Sequence, residues 1–182
     1  LYCEHLGRYY SRHYRRLADN RGAALVDFRS LRLPGVIAAE TKPTGGTSDF
    51  VPEMIHAAAS GKPGTCFVRP SSRIPWMTMP ECVEALLAVG RADRSKLTRS
   101  VYNVASFNAS AAEVADVIGA HFPGSSVEYV VDENRQGIVD SWPADVDCSR
   151  AIADWGYRPR WSLEEAFEHY IVPSIQTHYA QA

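Results

Sequence analysis

A short polar loop contains the residue types in this sequence that are best suited to holding a small ligand. It reads Gly45-Gly46-Thr47-Ser48-Asp49 and lies near the end of the stretch from Val26 to Phe50. Because the two glycines lack a Cβ atom, their backbone N–H groups can approach a polar ligand, and hydroxyl and carboxylate groups follow directly. The pattern is also typical of an ordinary surface turn, so by itself it leaves both interpretations open.

The residues around this loop predict how it is positioned. Residues 24–33 are apolar enough to predict a β-strand, and Pro34-Gly35 is expected to end it, because proline has no backbone N–H and glycine allows turn dihedrals. Open α/β sheets usually bind ligands where a strand runs into such a loop. A helix over residues 51–60 is predicted to follow, with Ser48 or Asp49 as its cap.

The motifs of several common catalytic centres are missing from the sequence. No G-x-G-x-x-G, H-E-x-x-H, G-x-S-x-G, C-x-x-C or P-loop occurs, and no lysine has a tyrosine four residues before it. The cysteines are far apart and form no metal-type pair, which predicts no metal site and reduced thiols in a cytoplasmic protein: Cys3, Cys66, Cys82 and Cys148. Local motifs alone therefore leave the function undetermined.

Composition excludes several classes of partner. The 182 residues carry a formal net charge of −2 and are 46% hydrophobic, so no overall positive field favours nucleic acid. No apolar run approaches the roughly 20 residues that a bilayer-spanning helix needs, which predicts no membrane contact. Four arginines on the first predicted helix (Arg8, Arg12, Arg15 and Arg16) indicate a solvated surface rather than a nucleic-acid patch, because no aromatic residues alternate with them on that face.

Strands and helices alternate between residues 24 and 131, which predicts an α/β protein with a parallel sheet. The first helix is expected over residues 1–20, and capping boxes start two later helices at Ser110 and Ser162. A helix over 81–92 is predicted to bury Val83, Leu86 and Leu87. Residues 69–80 and 132–147 are predicted to be irregular loops.

Several stretches taken together resemble a known family. In order they are RSLRLPGVI, TGGTSDF, SRIPWMTMP, VYNVASF, RQGIVDSWPADVDCSRAIADWGY and WSLEEAF. They are similar to the C-terminal half of the L-threonine 3-dehydrogenases, which belong to the extended short-chain dehydrogenase/reductases and to the NAD-dependent epimerase/dehydratase superfamily. The resemblance implies one truncated unit over residues 1–182. The last part of a Rossmann-like parallel sheet would comprise 1–38 and 79–106, and a smaller substrate-binding α/β subdomain would comprise 39–78 and 107–182.

The resemblance also implies which catalytic residues to expect. In this family a Tyr-x-x-x-Lys pair is followed by a helix with a glutamate four positions after the lysine and a Tyr-Tyr pair further on. Glu4 and Tyr9-Tyr10 match that pattern if the lysine stands immediately before Leu1. We therefore expect a truncated chain with no catalytic residue of its own, which would be inactive alone.

Binding residues are implied in the same way. Leu33, Pro34 and Val36 match positions that line the nicotinamide pocket of NAD. The substrate side would comprise the loop Gly45, Gly46, Thr47 and Ser48, together with Trp142, which would close over the bound amino acid. Arg73 lies where relatives bind substrate phosphates, and for an amino-acid substrate it is expected to be structural.

The implied function is the substrate-binding half of an NAD-dependent dehydrogenase that converts L-threonine to 2-amino-3-ketobutyrate. Relatives dimerise through two helices, so a homodimer through residues 1–17 and 81–91 is expected. One alternative is the C-terminal half of a nucleotide-sugar epimerase or dehydratase. Another is a domain that binds or dimerises without catalysis.

Overall fold

Short strands alternate with helices along the chain. The structure is a computed structural model, and it describes residues 1–14 and 26–180. The strands are β1 (Ser30–Arg32), β2 (Gly35–Ile37), β3 (Gly64–Cys66), β4 (Arg73–Thr78), β5 (Val101–Asn103), β6 (Phe107–Ser110) and β7 (Val127–Tyr129). The helices are α1 (Tyr2–Arg12), α2 (Phe50–Ala59), α3 (Met79–Arg91), α4 (Ala111–His121), α5 (Glu133–Asp140), α6 (Ser149–Trp155), α7 (Leu163–Ala166) and α8 (Val172–Ala180). A π-helical segment, Phe167–Ile171, joins the last two helices.

Most strand pairs are parallel. β1 pairs with β5, β2 with β4, and β3 with β7, all in parallel, while β4 and β6 are antiparallel. The crossovers between parallel partners contain helices, as parallel pairing requires. The predicted α/β class with a parallel sheet is confirmed.

Two hydrophobic clusters hold these elements together. The larger contains Phe50, Trp76, Ile118 and Phe167, each at most 1% exposed, and so packs α2, β4, α4 and the C-terminal helices together. The smaller joins the start of α3 to β5 and to the region of α6. The division of the chain into a sheet part and a substrate-binding part stays a prediction.

The predicted strand over residues 24–33 is shorter in the structure, and Pro34-Gly35 does not end the extended chain. Only Ser30–Arg32 forms β1, while residues 24 and 25 lie outside the described part. Gly35 instead begins β2, where it faces Trp76 of β4. A Cβ atom at Gly35 would lie 2.5 Å from the Trp76 ring, so the glycine is needed for close packing rather than for a turn.

Two segments that were predicted to be loops contain regular structure. Residues 73–78 form β4, because Pro75 pairs only with Asn108 of β6 and the ladder to β2 begins one residue later. Residues 133–140 form α5, which buries only Gln136 and Val139 and therefore lacks a clear apolar period. The sequence does contain a signal for the start of α5, because Asp132 is a residue type that caps helices and its carboxylate accepts two backbone N–H bonds.

The predicted buried stripe of α3 was wrong. Val83, Leu86 and Leu87 are 47–49% exposed, and the helix buries Glu81, Cys82, Ala85 and Val89 instead. Glu81 is tolerated inside because its carboxylate accepts five hydrogen bonds, from the Thr78 N–H and hydroxyl, the Ser106 hydroxyl, and the N–H groups of Arg160 and Trp161.

Two predicted helix starts are confirmed, because both capping boxes form, at Ser110–Glu113 and Ser162–Glu165. The first helix is shorter than the predicted 1–20: α1 ends at Arg12, and residues 13 and 14 form a turn. The remaining residues of that prediction, 15–20, lie outside the described part of the chain. Within residues 1–14 and 26–180, no helix is both long and apolar enough to cross a bilayer.

Candidate functional site

An apolar cleft of about 560 Å³ opens at the carboxyl ends of β1 and β5. Leu33 and Pro34 follow β1, Val104 follows β5, and Trp142 and Pro143 form the opposite side after α5. The ends meet here because the two strands are parallel and in register from Ser30 and Val101. This is the edge at which open α/β sheets bind ligands.

The structure brings four of the sequence-predicted site residues into this cleft: Leu33, Pro34, Ser48 and Trp142. The tryptophan and the double-glycine loop therefore share one cleft. Val36 does not line it, and packs against the smaller hydrophobic cluster. Gly45, Gly46 and Thr47 do not line it either, although their neighbour Ser48 does.

Arg73 does not line the cleft, and its side chain is paired with residues at the protein surface. Its guanidinium donates to the Glu113 carboxylate at 2.6 Å and to the Asn108 side chain at 2.9 Å. The same arginine lowers the pKa of Glu113, second to the Ser110 backbone N–H bond. These contacts agree with a structural role for Arg73.

The backbone N–H groups of the double-glycine loop bind a side chain of the chain itself, whereas the sequence predicted that they would face a ligand. One oxygen of the Asp49 carboxylate accepts from the N–H groups of Thr44, Gly45 and Gly46 at 3.0, 3.0 and 2.7 Å. Asp49 makes no side-chain cap to α2, although it stands at the N-cap position. The backbone donors that were expected to bind a ligand carboxylate are thus already bound to a carboxylate of the chain itself.

Arg135 of α5 connects this loop to α5 and to Phe67. Its guanidinium donates to the Gly46 carbonyl at 2.6 Å and lies 3.1 Å from the centre of the Phe67 ring. The Glu53 carboxylate is 3.7 Å away, and burial raises the pKa of that carboxyl despite the nearby arginine. Arg135 thus links α5 to the loop, and Ser48 of the loop and Trp142, two residues after the last residue of α5, line the same cleft.

A buried amide holds the rest of α5. Gln136 is 1% exposed; its carbonyl accepts from the Arg69 N–H at 2.7 Å, and its amide nitrogen donates to Ser72 at 2.9 Å and to Asp140 at 2.6 Å. Full satisfaction of a buried amide makes its position rigid. Trp142, which is 37% exposed, follows two residues after this helix ends.

Polar groups of the cleft include several that the sequence did not single out. Asn103 ends β5, and Asp145 and Asp147 follow Trp142; all three line the cleft. The backbone N–H of Ser149 donates to Asp147 at 2.8 Å and holds the pKa of that carboxyl below its usual value. For Asn103 the signal was its position, since side chains at the carboxyl ends of parallel strands meet at one edge. Asp145 and Asp147 follow no strand, and the local sequence carried no such signal for them.

Arg32 joins the cleft to the first helix. Its Nε and Nη2 atoms each donate to one oxygen of Glu4 at 2.8 Å, a bidentate pair that connects β1 with α1. The pairing lowers the pKa of Glu4 and raises that of Arg32. In the part of the chain that the structure describes, no cluster of three metal-ligating side chains occurs.

Comparisons with known proteins agree with this fold. No family model matches the chain. The mitochondrial L-threonine 3-dehydrogenase of Bos taurus is 34% identical over 165 residues, which cover 91% of this chain and 42% of the relative. An uncharacterized epimerase/dehydratase of Staphylococcus haemolyticus is 34% identical over 139 residues, covering 76% of this chain and 44% of that protein. The structure of L-threonine 3-dehydrogenase from Trypanosoma brucei superposes with a TM-score of 0.86 at 34% identity, covering 98% of this chain and 52% of that one.

The chain therefore belongs to the family of α/β proteins that contains the epimerase/dehydratases and the L-threonine 3-dehydrogenases. Within it, the chain is homologous over nearly its whole length to the L-threonine 3-dehydrogenases, and the resemblance inferred from the sequence is confirmed. The chain spans about half the length of the relatives that it matches, which agrees with the resemblance to one half of such a protein.

Proposed function

We propose that this chain forms the substrate-binding half of an NAD-dependent oxidoreductase that acts on L-threonine. The observation that carries the proposal is the single cleft shared by Trp142, Ser48 and the Leu33-Pro34 turn. By the resemblance to the L-threonine 3-dehydrogenases, Trp142 and Ser48 are expected to face the substrate. Leu33 and Pro34 are expected to face the nicotinamide of the cofactor. The proposed division assigns 1–38 and 79–106 to the end of the sheet, and 39–78 and 107–182 to the substrate-binding part.

The cleft suits a small amino acid. Its surface is mainly apolar, with polar groups restricted to a few positions, as is usual for small-molecule sites. Asp145 and Asp147 provide carboxylates that suit an ammonium group. Because Asp49 already binds the N–H groups of the double-glycine loop, the donor that this loop contributes is the Ser48 hydroxyl rather than the backbone of Gly45 and Gly46.

The residues around the β1 end suit the nicotinamide ring of NAD. Leu33 is 44% exposed and forms an apolar wall with Pro34, and a flat aromatic ring packs well against such a surface. When bound, NAD would supply the hydride acceptor. Val36 is dropped from the proposed contacts, because it packs against the smaller hydrophobic cluster instead of lining the cleft.

Trp142 would act by excluding water. Its side chain is partly exposed at the rim, so closing over a bound amino acid would bury it and keep the reacting atoms dry. The proton acceptor is expected from a Tyr-x-x-x-Lys pair outside this chain. We therefore propose that these residues bind and orient the substrate, and that residues 1–182 alone do not turn it over.

A homodimer is part of the proposal. Val83, Leu86 and Leu87 make an apolar stripe on α3, and α1 exposes Leu6, Tyr9 and Tyr10; both helices belong to the expected interface 1–17 and 81–91, of which residues 15–17 lie outside the described part. Burial of such apolar surface favours association. A cytoplasmic location also stays a proposal, and the bovine relative is named as mitochondrial.

The test is reduction of NAD by the complete protein with L-threonine. Trp142→Ala should lower kcat/KM about tenfold or more, because water is then admitted and the substrate is held less well. Ile138→Ala is the matched control, since Ile138 is 47% exposed on α5, the helix that precedes Trp142, and does not line the cleft. An equal loss in both variants, or none in Trp142→Ala, would contradict the proposal.

A nucleotide-sugar substrate is the alternative that the same assay decides. Arg73, the residue that would bind substrate phosphates, is paired with Glu113 and does not line the apolar cleft. This favours the amino acid. Turnover of UDP-glucose without turnover of L-threonine would reverse the preference, and absence of any turnover in the complete protein would favour a non-catalytic binding domain.

A further inference from the structure

A second cleft lies beside the apolar one and has the opposite chemistry. It encloses about 630 Å³ between α1, the ends of β1 and β5, and the start of α6. Five arginines line it: Arg8, Arg12, Arg32, Arg99 and Arg150. We refer to it as the cationic cleft. It shares Arg32, Asn103 and Asp147 with the apolar cleft, so the two openings are neighbours.

Most of this positive charge is not balanced locally. Arg32 is neutralised by Glu4, but the other four arginines form no ion pair with any residue in 1–14 or 26–180. Among the described residues that line the cleft, Asp147 is the only carboxylate, so four guanidinium groups face one carboxylate there, a surplus of three positive charges. Asp154 stands behind the wall, where it accepts from Thr98 and Tyr102.

This concentration of charge is not a consequence of composition. The chain as a whole carries a formal net charge of −2, yet arginines from α1, from the segment before β5 and from α6 meet in one concave surface. Like charges in a cleft repel one another, and the concave shape concentrates their field on whatever enters. An arrangement of this kind is unfavourable without an anion and is favourable with one.

The geometry of the guanidinium groups selects the type of anion. Arginine presents planar, paired N–H donors that match phosphate oxygens in a bidentate manner. Ser100 and Ser149 add hydroxyl groups to the same lining. The volume exceeds that needed for one phosphate group, and the arginines come from α1, β1, the segment before β5 and α6.

We propose that the cationic cleft binds a small anion that carries two or more linked phosphate groups. Arg8 and Arg12 of α1 would contact it from one side, and Arg99 and Arg150 from the other. The inference is independent of the proposed oxidoreductase function, because none of these four arginines lines the apolar cleft.

The test is calorimetric titration of the complete protein with inorganic pyrophosphate. The titration is made at saturating NAD, which fills the proposed cofactor site, and saturable binding is expected. The double variant Arg99→Gln/Arg150→Gln should weaken binding tenfold or more, since two charge-assisted contacts are lost. Because both side chains are exposed, the fold and its thermal midpoint should not change.

The matched control is Arg94→Gln/Arg158→Gln, which removes the same charge from exposed positions outside the cationic cleft. Equal weakening by both double variants would overturn the proposal in favour of general charge attraction. Absence of pyrophosphate binding, its disappearance at saturating NAD, or sulfate binding as tightly as pyrophosphate would each overturn it as well.

Two further outcomes separate this proposal from its neighbours. A single-stranded oligonucleotide that binds with the same arginine dependence while pyrophosphate does not would replace the small anion by nucleic acid. UDP-glucose that binds with this dependence and is turned over would support the anion site and contradict the L-threonine proposal. The two proposals can therefore fail separately.

Discussion

The apolar cleft and the cationic cleft differ in chemistry although they share part of one frame. Both include Arg32 and Asn103, the last residues of β1 and β5. The apolar cleft is completed by the turn after β1 and by the segment after α5, whereas the cationic cleft is completed by α1 and by the start of α6. The strands provide the edge, and the covering segments decide what binds there.

The two clefts also differ in how their walls are supported. Trp142 follows a helix that the buried Gln136 and the guanidinium of Arg135 attach to the rest of the fold. Arg99 and Arg150 are exposed and form no ion pair with a described residue. Substitutions behind the apolar cleft should therefore lower the free energy of unfolding, whereas substitutions in the cationic cleft should change ligand affinity alone.

The largest expected effect tests the support of the apolar cleft. Gln136→Ala should lower the free energy of unfolding by about 2–3 kcal/mol, because the buried Ser72 hydroxyl and the partly buried Arg69 N–H lose their partner. Denaturant unfolding measures the change. Asn134→Ala on the exposed side of α5 is the control and should stay within about 0.5 kcal/mol. Equal costs for both variants would remove the distinction between the two clefts.

A smaller effect is expected at the double-glycine loop. Asp49→Ala should cost about 1–2 kcal/mol, because three backbone N–H groups lose their shared acceptor. Hydrogen exchange at the amides of Thr44, Gly45 and Gly46 should accelerate. Asp49→Asn keeps an acceptor oxygen and should retain part of the protection. Unchanged exchange in the alanine variant would mean that Asp49 does not hold this loop.

The smallest effect concerns Asp147, which belongs to both clefts. The backbone N–H of Ser149 lowers the pKa of this carboxyl below its usual 3.8. A group with a lowered folded pKa contributes stability above its usual pKa, and that contribution is lost as the pH falls through the lowered value. NMR titration of the carboxyl carbon measures the pKa. Ser149→Ala keeps the N–H and should preserve a lowered pKa; a return to the usual value would assign the shift to the hydroxyl.

Much of the fold could be predicted from local patterns. The capping boxes at Ser110 and Ser162 depend on groups within a few residues, so the sequence alone identified the helices that they begin. α5 and β4 were missed for a different reason. α5 has little apolar periodicity, and β4 contains a proline that is tolerated because the neighbouring ladder starts one residue later.

The orientation of α3 could not be predicted from periodicity. Val83, Leu86 and Leu87 are at helical spacing and were assigned to the core, but Glu81 lies on the buried side because five distant or neighbouring donors satisfy its carboxylate. The capping box with Thr78 is a local signal for two of these bonds, but the other three come from Ser106, Arg160 and Trp161, far away in the sequence. The exposed apolar stripe of Val83, Leu86 and Leu87 supports the proposed dimer. From the sequence, that dimer was implied only by the resemblance to a family.

Local periodicity was enough to predict the α/β class, and the resemblance to a known family was enough to predict that family and four residues that line the apolar cleft, Leu33, Pro34, Ser48 and Trp142. Tertiary structure decided which of those residues meet. It packed Val36 against the smaller hydrophobic cluster, paired the N–H groups of Gly45 and Gly46 with Asp49, and brought arginines 142 positions apart, Arg8 and Arg150, into one cleft. Long-range packing controls such juxtapositions, since chain separation sets no limit on which side chains share a surface once the strands have paired.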